Sequence, residues 1–290
     1  MFLQTLVTGL AIGGIYALMA NGYSLIFSIM GFSNIAYGTI IMLGSYIGFF
    51  AMTRFGQPFS LALIAAMVGA AILSLLSERF AYRPLRVRRA PSLFLMISAM
   101  GISMLLENLV YVLIGGSFYP FPQVFELGTV SIFGATLGFL DIFAIIFSFG
   151  AIFILNAFIT KTRLGIAIRA ASYDNITAMI NGVNLNSVIS LVFIISGLLA
   201  GLSGVFFGMK YMVYPGMGAI TTKAYIAAVI GGLGSLPGAV VGGVILGVLE
   251  SFVSVYASSS FRDVFSFSLL ILILIFMPNG LFGKEAIEKV

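Results

Sequence analysis

Long apolar runs separated by short polar or glycine-rich breaks occupy roughly 3–30, 32–53, 58–77, 91–114, 139–160, 187–209, 224–257 and 264–278. Crossing the ~30 Å hydrocarbon core of a bilayer takes about 20 consecutive apolar residues as helix, and several of these runs reach that length. The pattern predicts an all-α chain, a polytopic helical membrane protein with about eight long apolar runs. The run 224–257 exceeds one span. Within it, Gly231-Gly232-Leu233-Gly234-Ser235-Leu236-Pro237-Gly238 must break the helix, since Gly and Pro disfavour helix interiors. What remains is a broken pair: a half-helix near 224–230, too short to cross by itself and so either re-entrant or borrowing residues from 215–222, and a full span from about 239.

Composition sharpens this. Of the 290 residues, 61% are hydrophobic and only 8% charged, and the mean hydropathy is +1.17; soluble domains average about 25% charged. A soluble enzyme, a nucleic-acid binder and a disordered chain are excluded. Residues 1–53 contain no Asp, Glu, Lys or Arg. With no His and no Cys, imidazole acid–base chemistry, thiolate nucleophiles and the usual zinc sites are absent. No phosphate-binding G-x-x-x-x-G-K-[S/T] loop occurs either.

The net charge of +5 sits mostly between runs, where Lys and Arg set orientation. Arg79, Arg83, Arg86, Arg88 and Arg89 follow the third run, and Lys161, Arg163 and Arg169 follow the fifth, whereas 115–138 has no Lys or Arg. Both basic loops are therefore expected in the cytoplasm, with 115–138 and the N-terminus outside. The tail carrying Lys284 and Lys289 is expected inside, which requires 224–257 to cross an even number of times. The chain reads as a single transmembrane domain over 1–290, with a cytoplasmic segment at about 164–186.

Glycine is informative. Gly197, Gly201, Gly204 and Gly208 fall on one helical face, and Gly238 with Gly242, and Gly243 with Gly247, repeat the small-xxx-small spacing that lets helices approach closely in lipid. Gly201-Leu202-Ser203-Gly204 resembles the G-x-S-G motif of rhomboid proteases, but that chemistry needs a general base, usually His, and the chain has none. Asp141, Asp174 and Asp263 lie at run edges or in loops, so an intramembrane aspartate pair is excluded as well. Glu107 and Glu250 alone lie well within runs, where ionisable groups are functional candidates. Satisfaction by Asn108, a Ser hydroxyl or interfacial water is the simpler reading, since neither has a strong cation nearby in sequence; Lys223 could pair with Glu250 in space, although nothing in the sequence demands it. In 164–187, Ile166, Ala170, Tyr173, Thr177 and Ile180 recur at helical spacing and Asn181-Gly182 is a stop signal. One amphipathic helix over 166–181 is predicted, either an interfacial cap or a lever that docks on another protein.

Several strings together resemble the shorter permease type of branched-chain amino acid ABC importers. They are Asn34-Ile35-Ala36-Tyr37-Gly38 with Leu43-Gly44-Ser45-Tyr46, Glu78-Arg79-Phe80-Ala81-Tyr82-Arg83-Pro84-Leu85-Arg86, Arg169-Ala170-Ala171 leading to Asn181-Gly182-Val183-Asn184, Lys223-Ala224-Tyr225 through Gly231–Gly238 to Gly242-Gly243, and Met277-Pro278-Asn279-Gly280-Leu281. The resemblance runs from about residue 5 to the end. It implies a multi-pass subunit of the bacterial cytoplasmic (inner) membrane that moves a small-molecule substrate by alternating access. Branched-chain or related hydrophobic amino acids are the expected cargo, with urea or short-chain amides carried by the same permease type as the alternative. An ion-coupled secondary transporter is the rival class.

The partners implied are a second permease subunit, two ATPase subunits and an extracytoplasmic solute-binding protein, in a lipid bilayer and without nucleic acid. No cofactor is expected on this chain, ATP being bound by the partner subunits, and no metal or catalytic residue is expected. Ser33, Asn34, Tyr37, Gly38 and Ser235 are the implied pathway residues, and Arg169, Asp174, Asn181 and Gly182 the implied ATPase-coupling residues. Where the family often has His-Gly-Glu, this chain has Tyr37-Gly38-Thr39, which removes two ionisable groups from a pathway helix.

Overall fold

A computed structural model describes residues 2–122, 129–132 and 135–283; the expected inside tail with Lys284 and Lys289 lies outside the described residues. The apolar runs become helices. These are α1 (Phe2–Met30), α2 (Ala36–Thr53), α3 (Phe59–Ser77), α5 (Ser92–Leu113), α6 (Phe139–Lys161), α9 (Leu185–Tyr211), the pair α10 (Thr221–Gly231) and α11 (Leu236–Tyr256), and α12 (Phe261–Phe276). Among the described residues, seven helices are long and apolar enough to cross a membrane, the third running unbroken from Phe59 to Val87. At 11 residues the half-helix α10 rises only about 16 Å. A 3₁₀ turn at Pro215–Ile220 runs straight into it.

The third helix outlasts its apolar run. Pro84 offers no N–H to the preceding turn and its ring needs room there. The chain widens into a π turn at Glu78–Tyr82, with the Arg83 N–H bonded to the Glu78 carbonyl five residues back, before continuing as α4 (Arg83–Val87). Residues 115–138, read from sequence as a loop, contain a hairpin: β1 (Thr129–Ile132) pairs antiparallel with β2 (Ala135–Gly138), Thr129 opposite Gly138 and Ile132 opposite Ala135.

The chain forms two compact units. The first is built from Met1–Ser24, Leu127–Ile152 and Lys223–Val290. In it α11 carries close-packing glycines on two sides. Gly238 and Gly242 press on α10, where a Cβ on Gly242 would meet the Ala227 carbonyl, and Gly243 and Gly247 press on α1 at Ala17 and Gly13. The second unit is Leu25–Glu126 with Phe153–Thr222. Its centre is α2, α3 and α9. A Cβ on Gly197 would lie 2.5 Å from the Ala71 Cα, one on Gly201 2.6 Å from the Met67 Cα, and one on Gly44 2.8 Å from the Gly201 Cα. Gly204 faces the Ile41 carbonyl and Gly208 the Ser45 hydroxyl. With lipid as apolar as the side chains, this backbone proximity and its dispersion contacts are what hold the helices together.

Candidate functional site

In the second unit the chain turns between α1 and α2 through Gly31, whose φ of +65° suits glycine. Asn34 is buried there, and its Oδ1 accepts from the Tyr82 hydroxyl at 2.9 Å. The Asn34 Nδ2 has no partner among the described residues. The Tyr82 ring is wedged between Phe32 and Phe193, with centroids 5.4 and 5.5 Å away. Tyr37 is buried, its hydroxyl donating to the Ser196 carbonyl at 3.4 Å. Gly38 is a contact point: a Cβ there would overlap the Thr221 hydroxyl and the Gly218 carbonyl of the 3₁₀ turn. Ser33 is half-buried beside them. Four of the five implied pathway residues therefore share one turn. Ser235 belongs to the first unit, where its hydroxyl caps α11 by accepting from the Gly238 N–H at 3.2 Å.

The π turn carries a buried carboxylate. Glu78, 0% exposed, accepts from Arg86 at 3.1 Å and from the Ser190 hydroxyl at 3.0 Å. The same Arg86 nitrogen reaches the Asn186 Oδ1 at 2.7 Å. A bent helix is thereby fastened to the first turns of α9.

The segment expected to be one helix over 166–181 is two: α7 (Arg163–Tyr173) and α8 (Asn175–Ile180), broken at Asp174. The reason is local. The Asp174 Oδ1 accepts from the Ile176 and Thr177 N–H groups at 2.9 and 3.3 Å, and Oδ2 accepts from the Thr177 hydroxyl at 2.6 Å. A short carboxylate that caps a new helix outcompetes continuation of the old one. Asn181 and Gly182 end α8, with Gly182 at φ +84°.

The Ser172 hydroxyl donates to the Ser28 carbonyl at 3.1 Å and the Asn175 amide to the Ile29 carbonyl at 3.2 Å, holding the helix pair against the end of α1. Its outer side is apolar and open, with Tyr173 78% and Ile180 79% exposed. Between the helices lies a groove of about 460 Å³ lined by Ile166, Arg169, Ala170, Tyr173, Thr177 and Asn181, among others. An open apolar groove with polar edges is the form of a protein-docking surface.

In the first unit, Glu250 is 1% exposed and fully engaged. Its Oε1 meets the Lys223 Nζ at 2.5 Å and the Ser266 hydroxyl, and its Oε2 accepts from the Tyr16 hydroxyl at 2.9 Å. Lys223 also pairs with Asp263 at 2.8 Å. No cluster of metal-binding side chains occurs among the described residues.

The family model of the branched-chain amino acid transport system permease component matches residues 5–274. The chain belongs to this family. The permease is 38% identical to the high-affinity branched-chain amino acid transport system permease protein BraD of Pseudomonas aeruginosa, an alignment covering 100% of this chain and 98% of that protein. It is equally 38% identical to LivH of Escherichia coli, with the same coverage. A probable LivH of Methanocaldococcus jannaschii is 28% identical over 92% of this chain and 88% of that protein. Among solved structures, PsaBC from Streptococcus pneumoniae in complex with Fab is similar in fold, with a TM-score of 0.53 at 14% identity over 96% of this chain and 92% of that one.

The ties of Glu78 in the permease were not legible in the sequence. Glu78 was seen only as part of a string. Its signal was an acid at the end of an apolar run beside an arginine cluster, but its partners lie 8 and 112 residues away. Glu250 has no cation close to it in sequence, and Lys223, the partner it could meet in space, is the one it has. Of the three groups expected to satisfy Glu107, Asn108 is otherwise engaged: its amide donates to the Met104 carbonyl of its own helix at 2.7 Å.

Proposed function

We propose that the chain is the membrane-spanning subunit of an ATP-driven importer of branched-chain amino acids in the cytoplasmic membrane, and that it performs no covalent chemistry. The observation that carries this reading is the full-length likeness to permeases named for that cargo. The apolar, open α7–α8 pair is the physical counterpart of a subunit moved from outside itself.

The ATP is bound and hydrolysed by two partner subunits, and an extracytoplasmic binding protein delivers the solute to this chain and a second permease subunit. Closure of the ATPase dimer pushes on the α7–α8 pair at Arg169, Asp174 and Asn181, which line its groove, and at Gly182 just past α8. Because Ser172 and Asn175 bond the end of α1, the push passes into the turn that carries Ser33, Asn34, Tyr37 and Gly38. These groups line the path as weakly polar contacts, and the Asn34 Nδ2 is a donor left free for a passing polar group. Weak contacts suit a conduit, since a site that bound tightly would trap the solute.

Removing the chain from its cell and measuring uptake of labelled leucine, isoleucine and valine tests the reading. Loss of that uptake, restored by the intact chain, is expected. Unchanged amino-acid uptake with loss of urea or short-amide uptake contradicts it.

A further inference from the structure

Arg79, Arg83 and Arg88 line a concavity of about 440 Å³ together with Pro84 and Val87. Among the described residues, none of the three arginines has a carboxylate partner. The nearest acid in sequence, Glu78, is already held by Arg86 and Ser190. The π turn at Glu78–Tyr82 sets Arg79 and Arg83 one wide turn apart, so that both serve the same hollow. Three guanidiniums around one concave surface repel one another until an anion lies between them.

What leads up to the hollow identifies the anion. Along the same continuous helix, Leu61, Ile64, Val68, Ile72, Leu76 and Phe80 are all exposed, at steps of three or four residues. This is an exposed apolar stripe on a helix long and apolar enough to span a membrane, a face of the kind that acyl chains can cover. It ends at Phe80, 76% exposed, between Arg79 and Arg83 in sequence, and resumes in Val87 on the wall of the hollow. A ligand with an anionic head and apolar tails fits both parts, whereas free phosphate uses only the first.

We propose that Arg79, Arg83 and Arg88 bind the phosphate of an anionic phospholipid, with its acyl chains laid along the Leu61–Phe80 stripe. Arginine is suited to this because its planar fork donates paired hydrogen bonds to phosphate oxygens. General basicity at a membrane surface requires charge alone; this site requires the hollow and the stripe together.

The test is native mass spectrometry of the full chain in detergent, with dioleoyl-phosphatidylglycerol, dioleoyl-phosphatidylcholine and inorganic phosphate as probes. Phosphatidylglycerol is expected to be retained by the natural chain, and its affinity to fall about 100-fold in Arg79→Gln/Arg83→Gln/Arg88→Gln, at roughly fivefold per arginine. Phosphatidylcholine binding should not respond to these substitutions, and inorganic phosphate at equal concentration should not displace phosphatidylglycerol. A Lys161→Gln/Arg163→Gln variant, altered in a different basic loop, should bind like the natural chain.

Equal retention of phosphatidylglycerol by the triple variant, equal loss in the Lys161/Arg163 variant, or displacement by phosphate each overturns the assignment. A second readout needs no variant. A photoactivatable phosphatidylglycerol should label residues 79–88 of the natural chain, and labelling confined to other segments overturns the proposal.

Discussion

The Lys223 ammonium stands 2.5 Å from the Glu250 carboxylate, one residue on each side of the break between α10 and α11. Two charges in an apolar interior cost several kcal/mol each to desolvate, and they are tolerable only together. Lys223→Met should destabilise the detergent-solubilised chain by about 3–5 kcal/mol, since it leaves the Glu250 carboxylate as a lone buried charge, and Glu250→Ala should cost less, because Asp263 still faces Lys223. Lys223→Met with Glu250→Leu should recover most of the loss. Strictly additive losses in a denaturant titration contradict the pairing.

The same network bears on the energy source. A proton carrier needs a carboxylate that gives up its proton during transport, whereas Glu250 is engaged by Lys223, Ser266 and Tyr16 at once. With ATP held constant, uptake should persist when an ionophore collapses the proton and sodium gradients. Collapse of uptake under those conditions places the chain among secondary transporters.

Asp174 supplies three hydrogen bonds to the start of α8. Asp174→Ala removes them at a local cost of about 0.5–2 kcal/mol, too little to unfold the subunit. Uptake and transport-coupled ATP hydrolysis should fall sharply while the amount of subunit in the membrane stays the same, and Asp174→Asn should retain most activity. Gly182→Val, forced to adopt φ +84°, should behave like Asp174→Ala, and Gly182→Asn should be milder. Normal uptake by Asp174→Ala removes the α7–α8 pair from the mechanism.

Helix packing yields a contrast of glycines. A Cβ at Gly201 would run into the Ala66 carbonyl, whereas one at Gly101 meets nothing within 4 Å. Gly201→Ala should cost about 1–3 kcal/mol through overpacking, read as a lowered unfolding temperature in detergent. Gly101→Ala should leave that temperature unchanged or raised.

The spans were legible because length and apolarity decide them: the run read as 139–160 is a helix at Phe139–Lys161, and that read as 187–209 is one at Leu185–Tyr211. The break near 231–238 was legible because Gly and Pro act locally. Asp174 was hidden by periodicity. Ile166, Tyr173 and Ile180 keep helical spacing across it, and only the carboxylate's own hydrogen bonds reveal that the helix stops and restarts there. The π turn escaped because it lies just past the end of the apolar run, where the pattern no longer reports on the helix, and its cause is Pro84, a few residues on. Buried polar contacts between helices are the least readable feature of all, since hydrogen-bond partners such as Glu78 and Ser190, 112 residues apart, meet only once the helices have packed.

The central claim is that this chain is a conduit driven by others. Its most direct test is the purified chain reconstituted in vesicles, loaded with an ATP-regenerating system and given labelled leucine outside. Alone it should accumulate nothing above the external concentration; with the second permease, the ATPase subunits and the binding protein added, it should concentrate leucine for as long as ATP is supplied. Concentrative uptake by the chain without any partner would contradict the account.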